Sequence, residues 1–119
     1  MPQVFLEYTA NISLPEPPPE FLKKLNKLLG DCETFKLESV KSRARKLEEY
    51  CSGDGAAGKG FVYLCCMIMP GRSDALKQGV QDLLLTFLSE YITPHNPQLT
   101  LHFAVHFVEL NEYQVLIHE

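Results

Sequence analysis

The first residues of this chain that bear on chemistry are Met1 and Pro2, followed at once by an alternating apolar segment. If Met1 is removed, Pro2 becomes a secondary amine at the chain terminus, held rigidly by its strand. An α-amino group titrates near about 7.7–8.0 in model peptides. Burial and neighbouring cations lower that value, so a neutral amine can act as a general base around about pH 7. While Met1 remains attached the nitrogen is an amide and offers no lone pair.

A second group is cationic. Lys41, Arg43 and Arg45 are spaced by two, so a strand puts them on one face. Such a stripe is either a solvated edge or a site for a small carboxylate. Arg72 favours the carboxylate. It stands in Gly71-Arg72-Ser73, directly before a helix whose first N–H groups and dipole also attract an anion.

Two further patterns invite chemistry and do not support it. Gly53, Gly55 and Gly58 satisfy GxGxxG, and Gly53, Gly58 and Lys59 satisfy GxxxxGK. Both motifs need a helix immediately after the loop to hold phosphates. Here a strand is expected, and Gly60 stands where a magnesium-binding hydroxyl belongs. Residues 52–60 therefore read as a connector. His102 and His106 share one face of a strand, but four residues span about 13 Å, too far to share a metal. They read as partly buried structural histidines, and no metal site is expected. Cys32, Cys51, Cys65 and Cys66 show no CxxC spacing. Neighbouring cysteines on a strand point to opposite faces, so reduced thiols in a cytoplasmic protein are expected.

These residues need elements to position them. Gln3 to Tyr8 alternate as a strand. Pro17, Pro18 and Pro19 suit a helix's first turn, where proline lacks only an N–H that has no partner there. Phe21, Leu22, Leu25, Leu28 and Leu29 then form one apolar stripe, and Gly30 can end it. Helix entry also accounts for the PxxP spacing of Pro15 and Pro18. Phe35 to Arg45 reads as a second strand and Phe61 to Met69 as a third. Ser73 can cap a helix to about Ile92, with Leu76, Val80, Leu83, Leu84, Phe87, Leu88 and Tyr91 inside. Leu99 to Phe107 alternate as a fourth strand.

The expected fold is α+β: two consecutive βαβ units, each with parallel strands and a right-handed crossover. They make a four-stranded mixed sheet with both helices on one face. The whole, 1–119, reads as a single domain with a pseudo-repeat of 1–51 and 60–119. The third strand is apolar on both faces, and two helices cover only one. A second cover is needed, and another copy of the chain is the simplest supplier.

Composition bounds the function. The chain has 119 residues and is 45% apolar, with 11 basic against 15 acidic residues, net −4. One domain with a real core follows. An acidic balance argues against nucleic acid as a partner. The longest apolar run falls far short of the ~20 residues of a membrane span. No basic-then-apolar leader opens the sequence.

Met1-Pro2 opening a strand, the strand–helix–strand repeat and Gly71-Arg72-Ser73-Asp74 together resemble the tautomerase superfamily with a catalytic amino-terminal proline. Within it the resemblance is greatest to the 5-carboxymethyl-2-hydroxymuconate isomerase family. It covers nearly the whole chain: MPQVFLEYTANI at the start, VKSRA at Val40 to Ala44, and PGRSDALKQG from Pro70 to Gly79. The last segment is also similar to the GRSDxxK pattern of the small 4-oxalocrotonate tautomerases. The resemblance implies a homotrimer with its sheets lining the centre, and Pro2 as the proton-shuttling base. Small relatives carry proline and arginine in one repeat. Here Asn11 to Ser13 offer no arginine after Pro2, and Val62 stands at the proline's place before Arg72, so one chain is expected to contribute one site. The family reads nearer IRSRV at Val40 to Ala44. Arg43 keeps that pattern, while Lys41 keeps the charge and loses the two-pronged donor.

These readings combine into an expected function. The chain is an enol–keto tautomerase or isomerase of a small unsaturated 2-oxo or 2-hydroxy (di)carboxylic acid, of the kind met in aromatic catabolism. Pro2 is the base, and Lys41, Arg43 and Arg72 bind substrate carboxylate. No cofactor is expected, because the substrate carbonyl delocalises the developing charge. The alternatives are a dehalogenase or decarboxylase of the same superfamily, with Glu109 or Glu112 activating water, and a trimeric binding module without turnover.

Overall fold

Alternation along Gln3–Thr9 makes the first strand, β1, with Val4, Leu6 and Tyr8 buried on one side. Pro18 and Pro19 open the first helix, α1 (Pro18–Gly30), which buries Phe21, Leu25 and Leu29. The computed structural model describes residues 1–119. After α1 the chain continues through β2 (Lys41–Leu47), β3 (Lys59–Ile68), α2 (Asp74–Ile92) and β4 (Thr100–Glu109). Ser73 caps α2, its Oγ accepting from the Leu76 N–H at 3.2 Å.

The sheet order is β2-β1-β3-β4. β1 and β2 are parallel, β3 and β4 are parallel, and β1 meets β3 antiparallel. Two βαβ units therefore lie back to back in one mixed sheet. Val4, Leu6, Val62, Leu64 and Cys66 pack in one core with the inner residues of both helices. Burying each such side chain contributes roughly 1.5–3 kcal/mol. Both helices thus cover the same face. On the other face Phe5 is 37% exposed; Arg43 is exposed beside it on β2, and His106 is exposed on β4, across β3. Asn96, fully buried, ties the halves together: its Oδ1 accepts from the Ser13 N–H at 2.7 Å and its Nδ2 donates to Ser13 O and Ile92 O at 2.9 Å.

Several expectations need correction. The second strand begins at Lys41, not Phe35. Phe35 turns into the core and Leu37–Ser39 form a 3₁₀ turn, which breaks the alternation. Gly30 closes α1 without a left-handed residue; it is followed by Asp31 in a helical conformation. Its smallness serves packing, because a Cβ there would lie 2.8 Å from Leu37 Cβ. In α2 the buried stripe is Val80, Leu84, Leu88 and Ile92. Leu76, Leu83 and Tyr91 are 41–43% exposed, since a helix on a sheet buries one narrow stripe and its flanks remain in solvent. His102 and His106 are exposed on the open face, and His106 Nδ1 lies 2.8 Å from the Tyr63 hydroxyl. The glycine-rich connector runs directly into β3, so no helix N-terminus faces it.

Candidate active site

The sheet register sets Pro2 beside Lys41, with Arg43 two residues further along β2, and leaves the turn carrying Arg72 at the same end of the sheet. Pro2 is buried just before β1, and its carbonyl accepts from the Lys41 N–H at 3.0 Å. Parallel pairing of β1 with β2 sets Gln3 opposite Lys41 and Phe5 opposite Arg43. Antiparallel pairing sets Gln3 opposite Met67 of β3, so the exit of β3 and the turn carrying Arg72 lie at the same end. The turn needs Gly71, whose φ of +113° is left-handed territory.

Each cation is held differently. Lys41 Nζ is exposed and donates to Glu38 O at 2.9 Å. Arg43 donates from Nη2 to Gln3 Oε1 at 2.7 Å and lies over the Phe5 ring, 4.2 Å from its centroid. Gln3 in turn donates from Nε2 to the Tyr113 hydroxyl at 3.0 Å. Arg72 is the most constrained. Its Nε donates to Thr34 Oγ1 at 2.6 Å, Nη2 to Thr34 O at 3.0 Å and Nη1 to Met69 O at 2.9 Å. The guanidinium also stacks on Phe35 at 4.6 Å. Arg45, opposite Glu7, lies further along β2 from Pro2. Glu109 is engaged by Lys77 at 3.4 Å, and Glu112 adopts a φ of 53° in the terminal segment.

Sequence reasoning did not single out Gln3, Thr34 or Tyr113. Gln3 carried a usable signal: alternation puts it on the face of Lys41 and Arg43 once β1 and β2 are paired. Thr34 and Tyr113 lie outside regular elements and gave none. All four thiols are free. Burial, then the neighbouring Cys65, pushes the Cys66 thiol up to about 12, so it stays protonated and unreactive at neutral pH.

Two βαβ units, a mixed four-stranded sheet and helices on a single face are the fold of the tautomerases. A family model described as 5-carboxymethyl-2-hydroxymuconate isomerase matches residues 2–118, and the chain belongs to that family, an isomerase of the tautomerase class. A crystal structure of a 5-carboxymethyl-2-hydroxymuconate isomerase from Deinococcus radiodurans R1 is 30% identical. It superposes with a TM-score of 0.84 over 98% of this chain and 88% of the other. A 5-carboxymethyl-2-hydroxymuconate delta-isomerase is 18% identical, with a TM-score of 0.85 over 99% of this chain and 89% of its own. A fused 4-OT, a symmetric trimer, shares the fold at 14% identity and a TM-score of 0.65, covering 91% of this chain and 86% of its own. No curated protein sequence matches the chain.

Proposed function

We propose that the chain interconverts enol and keto forms of a small unsaturated 2-oxo or 2-hydroxy (di)carboxylic acid, with Pro2 as the base. The observation that carries this reading is the juxtaposition of Pro2 with Lys41, through the 3.0 Å bond between their backbones, at the sheet end that also holds the Arg72 turn. Once Met1 is removed, the Pro2 nitrogen takes a proton from the substrate and leaves a dienolate. The ammonium so formed returns a proton to a different atom of the conjugated system, so the proton count is unchanged. Arg72 and Arg43, with Lys41, hold carboxylate and stabilise the dienolate charge. The substrate's own carbonyl delocalises that charge, and the reaction as written calls on no cofactor or metal.

The working form in this reading is a homotrimer with one site per chain. Its support is the open sheet face, where Phe5 is 37% exposed and Tyr63 and Met67 are half-buried, together with the trimeric relative of the same fold. The test is ketonisation of phenylenolpyruvate followed by ultraviolet absorbance. The chain with a free Pro2 terminus should turn it over and a Met1-retaining chain should not. Equal rates for the two forms overturn Pro2 as the base.

A further inference from the structure

Arg72 cannot rotate freely to meet a substrate, because its guanidinium is already held on three sides. The Thr34 hydroxyl takes the Nε–H at 2.6 Å, the Thr34 carbonyl takes one Nη2–H at 3.0 Å and the Met69 carbonyl takes one Nη1–H at 2.9 Å. The Phe35 ring, itself buried, lies under the cation at 4.6 Å. A guanidinium has five N–H donors in a planar, fixed arrangement. Three are used here, which leaves one N–H on each terminal nitrogen. Thr34 occupies the side-on edge formed by Nε–H and Nη2–H, so the donors left for a carboxylate are those at the Nη1 and Nη2 tips.

We propose that Thr34 is the positioning residue of Arg72: its hydroxyl and carbonyl fix the guanidinium plane, so that the N–H groups left unspent on Nη1 and Nη2 are held in one orientation for a substrate carboxylate. The proposal rests on the reading of Arg72 as a carboxylate binder. Without the Thr34 hydroxyl, the Nε–H loses its partner and the side chain regains rotational freedom that binding must then remove. A misplacement of about 1 Å is enough to weaken a well-oriented site by a large factor. The Thr34 carbonyl and the Phe35 ring remain in a Thr34→Val variant, so the loss is partial.

The experiment uses the whole chain with a free Pro2 terminus and phenylenolpyruvate as the probe. Thr34→Val, Thr34→Ser, Arg72→Ala and the double variant Thr34→Val/Arg72→Ala are compared. Thr34→Val should raise KM about fivefold to tenfold with a smaller change in kcat. Thr34→Ser, which keeps the hydroxyl, should restore wild-type values. In the Arg72→Ala background, Thr34→Val should change nothing further, a non-additivity that general loosening of the loop would not produce. If Arg72→Ala keeps full activity, the carboxylate role of Arg72 is overturned. If Arg72→Ala is impaired while Thr34→Val is unchanged, or Thr34→Ser fails to rescue, positioning by Thr34 is overturned and Arg72 retains its role.

Discussion

The nitrogen of Pro2 has two chemical states, and the residue-scale predictions turn on them. With Met1 attached it is an amide. With Met1 removed it is a secondary amine able to take a proton. A Met1-retaining or amino-terminally tagged chain should therefore fold yet be nearly inactive towards phenylenolpyruvate, and intact mass identifies which form is in hand. Pro2→Ala leaves a primary amine and should keep partial activity. Arg72 carries a second prediction. Removing one well-placed charged donor in such sites costs about 2.7–4 kcal/mol, or about 10²–10³ in rate. Arg72→Ala should thus lose at least about tenfold in kcat/KM, and it should also lower Tm, since the same guanidinium ties Thr34 to Met69. Lys59→Ala should leave kinetics unchanged. A larger effect there than at Arg72 would make the glycine-rich connector functional.

Among the elements, the helical glycines give opposite predictions from one physical rule. Alanine is favoured over glycine inside a helix by about 0.8–1.0 kcal/mol. At Gly79 a Cβ would meet nothing within 4 Å, so Gly79→Ala should stabilise the fold by about that much. At the end of α1 a Cβ on Gly30 would sit 2.8 Å from Leu37 Cβ and 3.1 Å from Leu37 Cα. Overpacking of this kind costs about 1–3 kcal/mol, which outweighs the propensity gain. Gly30→Ala should therefore destabilise, and urea midpoints for the two variants should move in opposite directions. The sequence showed the stripe of α1, the alternation of β1 and β4 and the unbroken apolar run of β3, because 3.6- and 2-residue periods and run length are local properties. It did not show that Phe35 leaves the strand pattern, because Phe35 is recruited by the core and by Arg72, both distant in sequence.

For the molecule as a whole, the uncovered sheet face predicts association. Light scattering should find a trimer, and a stable monomer at micromolar concentration would overturn it. The core predicts alkaline weakness. Burial raises Cys66 to about 12, against an ordinary value of 9.0, and also raises Tyr8, where Glu48 adds to the effect. Groups raised on folding contribute stability that is complete below their unfolded values and is lost as pH climbs towards the folded ones. Tm should therefore fall from about pH 9 towards about pH 12, and Cys66→Val should flatten that slope. No helix is long and apolar enough to cross a membrane. Pro2, the cationic spacing of Lys41, Arg43 and Arg45, the Arg72 turn and the two βαβ units were determined by sequence, because each is a matter of residue type and short-range period. Tertiary structure alone decided the register that sets Lys41 beside Pro2, the clasp of Thr34 and Phe35 on Arg72, and the reach of Tyr113 to Gln3. Those contacts join residues 37 to 110 positions apart, and only the packed sheet and core bring such pairs together.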